Sequence, residues 1–210
     1  MRSAISAVKI FLMKTFLSEI KTSLLLTLVF AVVLCGAYPL AVWAGAQAVF
    51  PEKANGSVIV DADGTVRGST LLGQSFTGES YFHSRPSAAG EGYDASASSG
   101  TNLGPTSQKL AAQIKERVAA YRVANGLTAD ASVPADAVTS SASGLDPHIS
   151  VANARLQAAR VARSRGLPLT QIQALIVTYT ADRDFGLFGE PTVNVLLLNR
   201  ALDAATRPKS

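Results

Sequence analysis

Residues 22–51 read TSLLLTLVFAVVLCGAYPLAVWAGAQAVFP, an unbroken run between Lys21 and Glu52 with no charged side chain. As a helix rising about 1.5 Å per residue, the run reaches roughly 45 Å, against a hydrocarbon core of about 30 Å. Thr22–Val42 is already long enough to cross a bilayer. Tyr38 and Trp43 fall near its far end, where amphipathic aromatics favour the headgroup level. Pro39 either kinks the last third or marks the point where the helix leaves the bilayer. A basic start followed by Ala44-Gly45-Ala46 also fits a cleaved secretory signal. The apolar core of such a signal spans only about 7–15 residues, so length favours a retained anchor.

Charge sets the orientation. The 210 residues carry 19 Lys+Arg against 15 Asp+Glu, a formal net charge of +4. Arg2, Lys9, Lys14 and Lys21 stand against Glu19 alone in residues 1–51, so most of the excess belongs to that flank. The remaining residues are close to neutral, which argues against a nucleic-acid partner. The positive-inside rule puts the flank in the cytoplasm and everything from Glu52 onward outside. Residues 10–17 (IFLMKTFL) are apolar enough to lie along the inner interface. The expected organisation is residues 1–51 as basic flank plus single transmembrane anchor, and residues 52–210 as an extracytoplasmic domain.

Local signals give that domain a mixed α/β (α+β) character. SVIVDADGTVRGS (57–69) predicts a β-hairpin turning at Asp63-Gly64. Residues 74–104 are rich in Gly, Ser and Pro, but Tyr81, Phe82 and Tyr93 point to a structured loop rather than a disordered one. Thr106 or Ser107 caps a helix running to about Ala124, with Leu110, Ile114, Val118 and Tyr121 on one face. Residues 126–136 look like a spacer. Ser150 caps a second helix ending at Gly166, Leu169–Thr180 is a third, and Thr192 begins a strand followed by a helix over 197–205.

Catalytic signals are sparse. One cysteine, Cys35, excludes an intramolecular disulfide, and His83 and His148 lack metal-ligand spacing. The glycines at 90, 92, 100 and 104 do not match a phosphate-binding loop. Asp184-Phe185-Gly186 spells a kinase tripeptide without its companion motifs. Asn55-Gly56-Ser57 is expected to be a turn. Ser143, Asp146 and His148 have the residue types of a hydrolase triad, yet lie within six positions of one another and lack a nucleophile elbow. Arg155, Arg160, Arg163 and Arg165 form no single helical stripe; they are either solvated or contact an anion. From chemistry alone this is an anchored external module, with a membrane-anchored extracytoplasmic hydrolase or a binding module as the alternatives.

Several motifs occur together in one order. They are Ala37-Tyr38-Pro39-Leu40, Phe50-Pro51 with Ala54-Asn55-Gly56-Ser57, Leu72-Gly73-Gln74, Tyr81-Phe82-His83-Ser84-Arg85-Pro86-Ser87, Asn102-Leu103-Gly104-Pro105, Ser143–Ser150 (SGLDPHIS), Ala159-Arg160-Val161-Ala162, Gly189-Glu190-Pro191 and Val193-Asn194-Val195. Across residues 22–205 the chain resembles the KdpC family, the C subunits of Kdp potassium-transporting P-type ATPases.

That resemblance implies a non-catalytic accessory subunit of a high-affinity, ATP-driven potassium uptake complex in the cell inner membrane. The implied partners are a potassium-selective pore subunit, an ATP-hydrolysing pump subunit, a small accessory peptide and the lipid bilayer. The implied role is to assemble or stabilise them and to act as a catalytic chaperone raising the pump's ATP affinity. No tightly bound cofactor is expected, only ATP in a transient ternary complex with the pump subunit. The family's proposed nucleotide contact falls on Gln157. A Ser-Gly-Gly before Asn102 has also been invoked, but here the stretch is Ser98-Ser99-Gly100-Thr101. Partner contacts are expected at Gly36, Tyr38 and Pro39 in the anchor and at Tyr81, Phe82, Arg85 and Asn102 in the domain. For the aromatics, packing in the domain's own core is the open alternative.

Overall fold

The computed structural model describes residues 2–206, with side chains from Leu12 onward; the side chains of Arg2 and Lys9 lie outside the described residues. The chain divides into two compact units between Ser57 and Val58.

The first unit is dominated by one apolar helix. Helix α1 (Arg2–Val32) passes through a π turn at Val33–Ala37 into α2 (Tyr38–Val49), and a short α3 follows (Pro51–Ala54). Leu12–Val49, 38 residues whose mean hydropathy reaches 2.4, is long and apolar enough to cross a membrane. Its large side chains lie exposed all round, among them Leu24, Phe30 and Trp43. A helix apolar on every face and of this length suits a membrane span. The hydroxyls of Thr22 and Thr27 donate to the carbonyls of Ser18 and Ser23 at 3.0 and 2.8 Å, so neither presents an unpaired donor to hydrocarbon.

No Gly or Pro interrupts residues 2–32, and the basic flank is helical and continuous with the apolar run. Pro39 has no N–H and its ring crowds the carbonyl four residues back. The helix accommodates it with the wider turn just before, in which the Tyr38 N–H reaches the Val33 carbonyl. Past α2, Gln47 and Asn55 exchange amide hydrogen bonds at 3.2 and 3.3 Å, and Asn55 donates to the Pro51 carbonyl at 2.7 Å. This ties the segment after Val49 to the end of the helix, placing the division beyond the charge-based boundary at residue 51.

The second unit begins with the expected hairpin, β1 (Val58–Val60) paired antiparallel with β2 (Val66–Ser69). Its turn is fixed by Asp63, whose carboxylate accepts from the Thr65 N–H at 2.9 Å. Helix α4 (Gln108–Asn125) is capped by Ser107 and leaves at Gly126. The spacer region contains a short α5 (Ala135–Val138). Strand β3 (His148–Ser150) runs into α6 (Val151–Arg165), capped by Ser150; α7 (Leu169–Thr178) and β4 (Thr180–Ala181) follow, then β5 (Thr192–Asn194) and α8 (Val195–Thr206). The three strands form an antiparallel sheet in the order β3-β5-β4, with Ile149 opposite Val193.

Helix α6 is the hub. Its Ala154, Ala158, Val161 and Ala162 form a narrow apolar face in contact with α7, while β3, β5 and α4 also pack on it. Ile172 and Ile176 of α7, Val195, Leu198 and Leu202 of α8, and the strand residues Ile149 and Val193 complete one core. The loop of residues 74–104 contributes Phe82, which has no exposed surface. A mixed α/β domain after a single N-terminal apolar helix is the architecture that the sequence suggests.

Candidate functional site

The Tyr81–Pro86 segment has no strand neighbour, so side chains must satisfy its buried backbone. Asn199 of α8 accepts from the Phe82 N–H at 2.8 Å and donates to the Phe82 carbonyl at 2.9 Å. Gln157 of α6 does the same for the next residue: Oε1 accepts from His83 N–H at 2.7 Å, and Nε2 donates to the His83 carbonyl at 3.2 Å. Two primary amides thus stand in for a missing strand, and the loop is held across two helices.

Gln157 makes two further bonds, donating to Asn153 Oδ1 at 2.8 Å and accepting from Arg160 at 2.9 Å. Both donors and both acceptor positions of its amide are used, and it is 1% exposed. Arg160, also buried, donates to four uncharged acceptors: Asn125 Oδ1, Gln157 Oε1 and the carbonyls of Glu79 and Tyr81. Burial lowers the pKa of this guanidinium, while Tyr121 and Glu79 act to raise it. A neighbouring arginine, Arg165, lies over the Tyr81 ring at 4.7 Å, donates to the Ser80 carbonyl and pairs with Asp203 at 2.8 Å. Two of the four arginines of α6 are therefore committed to this loop. The other two, Arg155 and Arg163, make no hydrogen bond or ion pair with it among the described residues.

A second knot holds the loop's far end. Arg85 pairs with Asp146 at 2.9 Å and reaches the Ser140 carbonyl at 3.4 Å. Ser87 donates to the Gly144 carbonyl at 2.6 Å, and Tyr93 donates to the Arg85 carbonyl at 2.6 Å. Gly144 is required here: its φ is +69°, and an added Cβ would lie 2.6 Å from the Ser99 carbonyl oxygen and 2.7 Å from the Ala89 nitrogen. Burial pushes the Asp146 carboxyl up, but hydrogen bonds from the His148 side chain and backbone and from Arg85 hold it below its ordinary value. Burial and the Arg160 charge hold His83 below its ordinary value, against a bond to the Gly78 carbonyl that acts to raise it.

The expected site residues thus fall into three groups. Tyr81, Phe82 and Gln157 belong to the amide clamp, and Arg85 to the second knot on the same loop. Tyr81 is half-buried, whereas the Phe82 ring packs the domain's own core and offers no area to another molecule. Asn102 is exposed, in a left-handed conformation at φ +52°. Gly36, Tyr38 and Pro39 lie in the helical unit; Tyr38 is 63% exposed, and a Cβ at Gly36 would meet nothing within 4 Å.

Gln157 also borders a groove of about 270 Å³ whose lining includes His83, Pro86, Arg117, Tyr121 and Asn153. Tyr121 donates to Asn153 Oδ1 at 2.8 Å; burial and then Asp136 push its hydroxyl pKa up, with Arg160 acting the other way. Asp136, from the segment expected to be a spacer, accepts from the Ser150 N–H and hydroxyl and from Asn153. It braces the N-terminus of α6, where a carboxylate is favoured.

The triad-like residues do not assemble. Ser143 Oγ accepts from the Leu145 N–H at 3.1 Å, and the His148 Nδ1–Asp146 distance is 3.5 Å. No Ser143–His148 hydrogen bond occurs among the described residues, so no nucleophile meets a base.

Comparison with known proteins bears on this geometry. The family model "KdpC: K+-transporting ATPase, c chain" matches residues 20–204, covering the apolar helix from Ile20 onward and the clamped loop. A potassium-transporting ATPase KdpC subunit of Nitratidesulfovibrio vulgaris (strain DSM 19637 / Miyazaki F) is 55% identical over 189 residues, covering 90% of this chain and 95% of that protein. The KdpC subunit of Caulobacter vibrioides (strain NA1000 / CB15N) is 55% identical over 192 residues, 91% and 96% of the two chains. That of Mycobacterium tuberculosis (strain ATCC 25618 / H37Rv) is 54% identical over 185 residues, 88% and 97%.

Proposed function

The chain belongs to the KdpC family, the accessory, non-catalytic subunits of the potassium-transporting ATPase, and on that premise we propose that it works by holding the complex together from outside the membrane. The Leu12–Val49 helix is its single membrane span, with the basic flank in the cytoplasm and residues from Glu52 onward in the periplasm. The pore subunit, the pump subunit and the small accessory peptide are its partners. It stabilises their assembly, and any gain in the pump's ATP affinity passes through that assembled state.

The observation that carries this reading is the double amide clamp on Phe82 and His83. It spends buried polar groups on one conformation of a surface loop, which is preorganisation for docking rather than for catalysis. Gln157 fits the role of positioning residue. As a nucleotide contact it would have to release four hydrogen bonds and leave the His83 backbone unpaired.

The test is potassium uptake together with ATP affinity. Cells lacking the chain should fail to grow at micromolar-scale potassium yet grow normally at high potassium. The purified complex should lose ATP affinity when the chain is removed, and a variant with a disordered loop should reproduce that loss. Uptake at the wild-type level without the chain would refute the reading.

A further inference from the structure

Between β4 and β5 the chain forms a hairpin tip, residues 182–191, whose apolar side chains point into solvent. Phe185 is 98% exposed, Leu187 69% and Phe188 63%. Three large apolar side chains within four positions, all without cover, are not ordinary surface. Nor is the tip loose: the Asp184 N–H bonds to the Phe188 carbonyl at 2.9 Å, and the N–H groups of Gly186, Leu187 and Phe188 close back onto Arg183 and Asp184. Arg183 and Glu190 brace its base with an ion pair at 2.7 Å. Phe185 is held at φ +55°, a conformation costly for an aromatic residue.

We propose that the 185–188 tip is a preformed plug that inserts into an apolar pocket with a basic rim on another subunit of the ATPase complex. The occupant follows from the charges around it. Within residues 182–191 Asp182, Asp184 and Glu190 stand against Arg183 alone, an acidic collar. Segments that insert into membranes carry Lys or Arg at their rim, because lipid surfaces are anionic; an acidic collar is repelled there and attracted to a basic one. An apolar centre enclosed by a charged rim is also the anatomy of a protein interface hot spot. Beside the tip lies a groove of about 390 Å³ lined by Val151, Arg155, Val177, Thr180, Asp182 and Pro191, so the plug is continuous with a surface that can seat a partner. The assignment rests on the accessory-subunit reading above and names the contact through which it acts.

The test places a photoreactive benzoylphenylalanine at position 185 of the full chain, expressed with the rest of the complex. Ultraviolet light should produce an adduct between this chain and another subunit. An adduct with lipid, an adduct with a second copy of this chain, or no adduct from a complex that is otherwise intact would each overturn the proposal while leaving the accessory role standing. Failure of the unmodified chain to co-purify with the complex would instead overturn the accessory role. Phe185→Ser combined with Phe188→Ser should reduce the chain retained in the complex by about tenfold or more. Its own melting temperature should not change, because both side chains are solvent-exposed.

Discussion

Gln157 and His83, 74 positions apart, are joined through both backbone groups of His83, at 2.7 and 3.2 Å. Together with the matching Asn199–Phe82 pair, this contact makes a loop without secondary structure as determined as a strand. The same amide receives Arg160 and binds Asn153, so loop, helix α6 and the end of α4 are one hydrogen-bonded unit.

Gln157→Leu keeps the volume and removes all four bonds. Leaving the His83 N–H and carbonyl buried and unpaired costs about 1–3 kcal/mol for each group. The melting temperature of the full chain should fall by about 10 °C, at roughly 2–4 °C per kcal/mol. An unchanged melting temperature would mean that the clamp is idle.

Arg160→Met should be at least as severe. It strips a charged donor from Asn125, Gln157 and the carbonyls of Glu79 and Tyr81, and hydrogen bonds to a charged group are worth about 1.5–3 kcal/mol each. Arg155→Met, on the exposed side of the same helix, should stay within about 0.5 kcal/mol of wild type. Denaturant titration of the two variants separates the cases; equal midpoints would contradict the network.

Acid should act in two stages. The pKa of His83 is lowered in the folded state, so the unfolded chain takes up the proton first as pH falls below about 6.5. Stability is therefore full above that value and declines as pH drops toward the depressed folded one. Asp146, also lowered, adds a further loss below about 3.8. His83→Gln should flatten the first stage and leave the second. Melting curves between pH 7.5 and 3 would register this, and a wild-type chain more stable at pH 5.5 than at 7.5 would contradict the sign.

Gly144→Ala places a methyl group against the Ser99 carbonyl and the Ala89 nitrogen in a left-handed conformation, and should cost more than about 2 kcal/mol. Gly104→Ala, with nothing within 4 Å of the new Cβ, should be close to neutral. Parallel unfolding curves test the pair, and a tolerant Gly144 would mean that the knot at Asp146 can open.

What was legible in the sequence was local. Ser107 and Ser150 cap the helices that they precede, Gly126 and Gly166 follow their ends, and Asp63-Gly64 turns the hairpin, because each signal acts within a few residues. The apolar helix was legible for the same reason, although its π turn and the helical continuation through the basic flank were not. Thr192 marks the start of β5, but β3 and β4 escape because strands of two or three residues are too short for a period-two pattern. Asp136, Asn125 and Asn199 were missed because their partners lie 14 to 117 positions away. The family resemblance points to Gln157 only as a nucleotide contact. Its place in the network is visible only once α6 and the loop meet. Phe185 gives no sign of its role within a kinase-like tripeptide, since exposure cannot be read from residue type.

A docking role outside the membrane requires the clamped domain to lie on the periplasmic side. Val123 is 83% exposed on α4, and Cys35 is the chain's one native thiol. In a Cys35→Ser background, Val123→Cys should react with a membrane-impermeant maleimide in cells whose inner membrane is intact. Labelling only after the inner membrane is opened would place the domain with cytoplasmic ATP and contradict the account.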